Sequence, residues 1–339
     1  MSAPTPVRIA LFGAGRIGHV HANNISALPD AELVVIADPF IDGARALATA
    51  TGSVAVASPE EVFAREDIDA VVIGSPTNTH VDLITRAAGR GLAVLCEKPI
   101  DLDIASVRAC QEKLGDRASQ VMLGFNRRFD PSFASVQRRV AAGEVGKLEQ
   151  LIIISRDPEP APRGYLETSG GIFRDMSIHD LDMARFFVPD IVEVTATGSN
   201  TFSSDIRELG DYDTATITLR GANGELITII NSRHCAFGYD QRIEAFGSGG
   251  MLSAGNRGET TVQKFDAAGT GQADVHLPFF LERYAQAYLE ELKAFVAGIR
   301  NGTGFSPGFH DGVAALELAD AAITSADTGT TQNTEKARV

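Results

Sequence analysis

The sequence predicts an α/β protein of two domains, the first built on a parallel, doubly wound sheet and the second on a predominantly antiparallel or mixed sheet. Three observations predict it. The chain has 339 residues, more than one ordinary core accommodates. Its first 125 residues alternate short apolar runs with amphipathic helical patterns, as βαβ units do. After residue 145 or so, β-branched runs follow one another mostly without helices between them.

In the first domain, taken as 1–125, Val7–Phe12, Leu33–Ala37, Ala70–Gly74, Ala93–Cys96 and Val121–Gly124 read as buried strands. Helical spacing covers 16–27, 42–51, 59–65, 80–90 and 103–114. Ser58-Pro59-Glu60-Glu61 starts one of them, with Ser as N-cap, Pro at the first helical position and Glu closing a capping box. In the second domain, taken as 126–330, the strands are Leu148–Arg156, Ile191–Gly198, Thr214–Arg220, Glu225–Ser232 and Gln241–Phe246. Gly221-Ala222-Asn223-Gly224 forms a tight hairpin loop between the third and fourth. One helix, Met176–Phe187, interrupts this series, and two more follow near 281–300 and 308–325. Residues 331–339 form a polar tail, and the Thr-rich stretch Asp327–Val339 is expected to fray.

The composition excludes several function classes. Hydrophobic residues make up 44% of the chain and charged ones 22%, ordinary for a soluble globular protein. The formal net charge is −14, and Lys and Arg form no run. Nucleic acid and anionic membrane both need a clustered positive field, so neither is expected as a partner. No apolar stretch approaches the roughly 18 residues of a membrane span, and Met1–Pro6 lacks the basic and apolar regions of a signal peptide. Cys96, Cys110 and Cys235 show no paired spacing, which suits a reducing cytoplasm. Neither they nor the histidines offer a metal-ligand spacing, so no metal is expected.

Gly13-Ala14-Gly15-Arg16-Ile17-Gly18 directly follows the first strand and opens a helix. Asp38 ends the second strand, about 20 residues beyond Gly18. Glycines in this pattern allow a tight turn and let the backbone approach a pyrophosphate, which the helix N-terminus attracts. The expectation is a Rossmann domain with Gly13, Gly15, Arg16, Ile17, Gly18 and Asp38 at the dinucleotide. A carboxylate at 38 suits ribose hydroxyls and repels a 2′-phosphate, and Pro39 and Phe40 bring no compensating arginine. NAD is therefore expected over NADP. Ser75, Thr77 and His80 lie in the turn after the third apolar strand, where loops border the ligand crevice. Glu97-Lys98-Pro99 ends the fourth, which aims Lys98 at the crevice and adds Glu97 and Lys98 to the cofactor candidates.

Gly170-Gly171 precedes a helix in which Asp175 and His179 are four residues apart, and so stack on one helical face. Two readings fit this spacing equally: a helix-start carboxylate with a structural histidine, or a base with its orienting acid.

Together, Gly13–Gly18, Glu97-Lys98-Pro99 and the Gly170–Asp182 block resemble the glucose–fructose oxidoreductase and inositol dehydrogenase (Gfo/Idh/MocA) family over nearly the whole chain. Gly124–Asp130 and Ser155-Arg156-Asp157-Pro158 resemble its myo-inositol 2-dehydrogenase branch. The resemblance implies an NAD-dependent dehydrogenase that oxidises a secondary alcohol of a cyclic polyol to a ketone. It implies Lys98, Asp175 and His179 as the catalytic triad, and a homo-oligomer, often a tetramer, joined through the open sheet. Asn126, Arg127 and Asp157 become candidates for substrate hydroxyls. Tyr239, which follows Gly238 at a strand start, is another candidate and could equally be a packing residue.

The chemistry is consistent with those assignments. A histidine titrates ordinarily near 6.5 and suits a base for the hydroxyl proton at neutral pH. Asp175 would orient it, and a lysine ammonium would steady a developing alkoxide. Within the same family, scyllo-inositol or a pyranose sugar are alternative substrates, and an NAD-dependent glycosidase is an alternative activity. From another class, a non-catalytic NAD-binding sensor would share the fold.

Overall fold

The computed structural model describes residues 5–334. The chain divides into two compact units, one of Met1–Phe129 with Gln286–Ala314 and one of Asp130–Ala285 with Ala315–Val339.

The first unit runs β1 (Val7–Phe12), α1 (Arg16–Ala27), β2 (Ala31–Ala37), α2 (Ile41–Thr51), β3 (Val54–Val56), α3 (Pro59–Phe63), β4 (Ala70–Ile73), α4 (His80–Gly89), β5 (Ala93–Cys96), α5 (Ile104–Leu114) and β6 (Val121–Leu123). Its six strands lie in the order β3-β2-β1-β4-β5-β6, every pair parallel. The order reverses between β1 and β4, the switch point at which ligands bind such sheets. The central strands are apolar on both faces because helices cover both, and β1 and β4 are almost wholly buried. The short edge strand β3, partly exposed, carries too little pattern to be read from the sequence. At α3, Ser58 N donates to Glu61 Oε1 at 3.1 Å, closing the capping box.

The second unit runs α6 (Pro131–Ala141), β7 (Leu148–Arg156), α7 (Arg163–Leu166), α8 (Ile178–Phe187), β8 (Ile191–Ser199), α9 (Ser204–Glu208), β9 (Thr214–Gly221), β10 (Leu226–Ser232), β11 (Asp240–Gly247), β12 (Gly250–Ala254), β13 (Gln263–Asp266), β14 (Gly269–Ala273) and α10 (Phe280–Arg283). The chain ends with α11 (Ala285–Asn301), α12 (Phe309–Thr328) and β15 (Gln332–Asn333). Seven strands form one sheet in the order β12-β11-β7-β10-β9-β8-β15. Only β7 and β10 pair parallel, so the sheet is mixed and mostly antiparallel. Along β9, Ala215, Ile217 and Leu219 are buried while Thr216, Thr218 and Arg220 are exposed. One face therefore packs and the other lies open.

Three sequence expectations change. First, α11 belongs to the Rossmann unit and not to a second domain of 126–330. Its Leu292, Phe295 and Val296 complete the core formed by Ile9, Leu11, Leu33 and Ile36. Second, the stretch from Asp327 does not fray through its described part. Asp327 and Thr328 finish α12, and Gln332 and Asn333 pair with Val194 and Glu193 of β8. Backbone hydrogen bonding outweighs the polar composition there, and 335–339 lie outside the described residues. Third, the helix expected over Met176–Phe187 begins as a π-helical turn, Phe173–Ser177, before α8. No described helix is long and apolar enough to cross a membrane.

Candidate functional site

The nucleotide half is built at the carboxyl ends of β1, β2, β4 and β5. Gly13 has φ 97°, and a Cβ on it would stand 2.6 Å from the Gly74 carbonyl oxygen. One on Gly18 would stand 2.1 Å from the Gly13 carbonyl oxygen. Only glycine fits either position. Gly15, the N-cap of α1, has nothing within 4 Å of where its Cβ would be. That opening, beside the first unpaired N–H groups of α1, fits the pyrophosphate of a dinucleotide. Arg16 is exposed, and Ile17 packs towards Gly74.

Asp38 accepts from Ala14 N at 2.7 Å and from Phe40 N at 2.8 Å. It thus braces the glycine turn, while a carboxylate keeps lone pairs for ribose hydroxyls. Replacing Asp38 by Ser together with Pro39 by Arg is expected to raise the NADP/NAD ratio of kcat/KM. Because Asp38 also braces the turn, the absolute rate with NAD should fall as well. Steady-state rates with both cofactors check this, and an unchanged ratio removes Asp38 from the ribose.

The turn after β4 is locally bonded. Ser75 Oγ and Thr79 Oγ1 are 2.6 Å apart, and Thr77 begins the short 3-10 turn between them. His80, expected at the cofactor, is instead buried with Nδ1 2.8 Å from the Pro99 oxygen and Nε2 2.9 Å from the Ser75 oxygen. Burial lowers its pKa, so the neutral ring donates to one carbonyl and lies against the other. Its place is to tie the β4 turn to the Glu97-Lys98-Pro99 turn, and neither nitrogen is left for a ligand. Glu97 N continues the ladder by donating to the Ile73 oxygen. Cys96, just before it, is buried, and burial pushes its thiol well up, as an inert core residue requires. Asn126 and Arg127, also in the first unit, are buried in the 3-10 turn Asn126–Phe129.

The other candidates lie in the second unit. Gly170 and Gly171 both take positive φ, 84° and 81°. Ile172 N then donates to Asp211 Oδ1 at 2.8 Å, and the chain enters the π turn that holds Asp175. The extra residue in that turn means that Asp175 and His179 do not share one regular α-helix. A buried network fixes the start of α8 to the sheet. Ser177 Oγ donates to Asn231 Oδ1 at 2.6 Å, Asn231 Nδ2 to Asp180 Oδ2 at 2.7 Å, and Ser155 Oγ to Asp180 Oδ1 at 2.6 Å. With Asp180 turned to the sheet, its neighbour His179 projects about 100° away around the helix.

Asp175 is held on both oxygens. Tyr165 donates its hydroxyl to Oδ1 at 2.7 Å, and Arg233 Nη1 lies 3.3 Å from Oδ2. Arg233 is 1% exposed and reaches Asp211 Oδ2 with its other terminal nitrogen, also at 3.3 Å. One guanidinium thus bridges the carboxylate of the π turn and the carboxylate that caps it. Tyr165 is half exposed, with its hydroxyl turned to Asp175. Burial there, then the Asp175 charge, pushes its pKa up and keeps it a donor; Asp157 adds a smaller push in the same direction. Asp157 follows β7, with its N–H on the Ser232 oxygen at 2.9 Å. Tyr239 is buried, its ring edge-on to Phe279 and Tyr284.

Tyr165, Asp211 and Arg233 were missed in the sequence. Arg233 directly follows strand β10, and a charged residue at a strand end was the only available signal. Tyr165 and Asp211 lie in short loop-borne segments without periodicity. Among the described residues no three His, Cys, Asp or Glu side chains gather as a metal site requires.

A six-stranded parallel Rossmann sheet with a glycine turn open at Gly15, and with Asp38 bracing that turn after β2, defines the first unit as a dinucleotide-binding module. The comparisons make this specific. Residues 7–125 match the oxidoreductase family, NAD-binding Rossmann fold, of the GFO/IDH/MocA group, and 133–253 match the GFO/IDH/MocA C-terminal domain. The chain is 47% identical to the inositol 2-dehydrogenase of Rhizobium meliloti (strain 1021), over 94% of this chain and 96% of that protein. The crystal structure of a myo-inositol dehydrogenase from Corynebacterium glutamicum ATCC 13032 superposes with TM-score 0.96 at 69% identity, covering 97% of this chain and 99% of that one. The scyllo-inositol dehydrogenase of Lactobacillus casei, solved with NAD(H) and scyllo-inositol, gives TM-score 0.88 at 28% identity, with 97% and 98% covered. The chain belongs to the GFO/IDH/MocA family of NAD-binding oxidoreductases.

Proposed function

We propose that the protein oxidises myo-inositol with NAD at the axial hydroxyl, giving the 2-keto product. The observation that carries the reading is Asp175, held by Tyr165 and Arg233 on the turn that leads into His179. Both oxygens of that carboxylate are engaged, so it serves to orient and polarise, which leaves proton transfer to another group. His179 takes the proton of the substrate hydroxyl. Lys98 steadies the negative charge that develops on the oxygen. Gly13, Gly15, Gly18 and Asp38 hold NAD, which supplies the hydride acceptor when bound. Asn126, Arg127, Asp157 and Tyr239 offer donors and acceptors for the remaining ring hydroxyls. A fully hydroxylated ring satisfies such groups, whereas an apolar alcohol would leave them desolvated and unpaired. The mixture of arginine and aspartate favours a neutral polyol over an anionic sugar acid. A homotetramer in the cytoplasm is part of the same reading, supported by the open, Thr-rich face of the second sheet.

Parallel assays of myo-inositol, scyllo-inositol, glucose and a uronic acid with NAD test the substrate. The expected kcat/KM is highest for myo-inositol, with glucose and the uronate lower by about tenfold or more. A glucose or uronate value above that for myo-inositol overturns the substrate. Cofactor binding without NADH formation on any polyol would favour a sensor.

A further inference from the structure

We infer that His21, Glu97 and Glu291 form a positioning cluster for Lys98, anchoring the Glu97 side chain to the nucleotide-binding helix and so fixing the backbone from which Lys98 departs. The inference rests on the proposed catalytic role of Lys98. Glu97 continues the β5 ladder through its N–H, and the chain bends at Lys98 directly after it. Holding the Glu97 side chain therefore fixes the backbone from which Lys98 departs.

Three elements hold it. His21, in the helix that opens with the glycine turn, is wholly buried and donates from Nε2 to Glu97 Oε1 at 2.8 Å. Gly124, after β6, makes room for the carboxylate: a Cβ there would stand 2.9 Å from Glu97 Oε2. From α11, Tyr288 lies edge-on to the His21 ring at 6.0 Å between centroids. One turn further along α11, Glu291 is wholly buried, with no hydrogen-bond partner on either carboxyl oxygen. An isolated carboxylate without partners is costly to bury, and the cost is avoided by holding a proton. Burial first, then the Glu97 charge, pushes the Glu291 carboxyl well above the usual carboxylate range. In that neutral state Glu291 does not repel the Glu97 carboxylate.

The proton on Glu291 has a thermodynamic signature. Its pKa is raised in the folded chain, so the native state binds the proton more tightly than the unfolded chain does. This contribution is fully present below the unfolded carboxyl value and is lost as pH rises towards the raised one. Glu291→Gln keeps the shape and the neutrality without the titration. The full-length variant should therefore exceed the parent in thermal midpoint by a margin that grows from about pH 5 to about pH 9. A margin that does not change with pH overturns the buried proton.

The positioning role is read separately. His21→Phe fills the space but cannot donate, and should lower kcat about tenfold or more, with NAD affinity by calorimetry within about threefold. His21→Gln, whose amide still donates to Glu97, should recover most of the loss. Normal kcat in His21→Phe while Lys98→Ala is inactive overturns the positioning cluster and leaves Lys98 catalytic. Normal kcat in Lys98→Ala overturns the catalytic role itself.

Discussion

His179→Ala is expected to lower kcat by about two to four orders of magnitude, the usual contribution of a general base. NAD affinity should remain near that of the parent, because the glycine turn and Asp38 belong to the first unit and His179 to the second. The fold should tolerate the change, since α8 is anchored by Ser177 and Asp180 and does not depend on His179 for that anchoring. Lys98→Ala should behave alike, and the double variant should be little worse than either single one if both serve one proton-transfer unit. Steady-state kinetics with calorimetric NAD titration decides the matter. A collapsed NAD affinity with normal turnover of the bound fraction would make His179 structural.

Arg233→Met is expected to affect both folding and turnover. The guanidinium is buried between Asp175 and Asp211, and removing it leaves two mostly buried carboxylates without their counter-charge. Breaking a buried ion pair from one side costs about 3–5 kcal/mol, because the remaining charge is no longer compensated. Asp211 keeps the Ile172 N–H and Asp175 keeps Tyr165, so the π turn should survive at moderate temperature. Turnover should still fall, since Asp175 would lose the partner on its second oxygen. Denaturant unfolding gives the first quantity and kcat below the unfolding transition gives the second. Parental stability together with parental kcat would remove the bridge from the account.

Much of this molecule was legible in its sequence wherever the physics is local. The five main Rossmann strands, the glycine turn and Asp38 follow from a strand, a turn and a helix in immediate succession. The strands of the second sheet follow from β-branched runs, and β9–β10 from a loop at Gly221–Gly224 that admits a hairpin. The GFO/IDH/MocA resemblance was likewise carried by contiguous motifs, and the family comparisons agree with it.

What only the tertiary structure decided concerns partners distant along the chain. The spacing of α11 shows an apolar face but not which sheet buries it, and Leu292, Phe295 and Val296 chose the first unit. His80 looked available because its turn borders the crevice, and Ser75 and Pro99 occupied both ring nitrogens. The interval from Asp175 to His179 fits a regular helix, and the chain instead forms a π turn there, entered where Ile172 N–H meets Asp211 from a distant segment. Arg233 joins Asp175 and Asp211 across long sequence separations, and Glu291 meets Glu97 only because α11 returns to the first unit. Periodicity records which side of an element is apolar and turn chemistry records where it ends. Neither records what lies opposite, so the sequence alone determined the elements and the nucleotide motif, and packing determined the company that the charged residues keep.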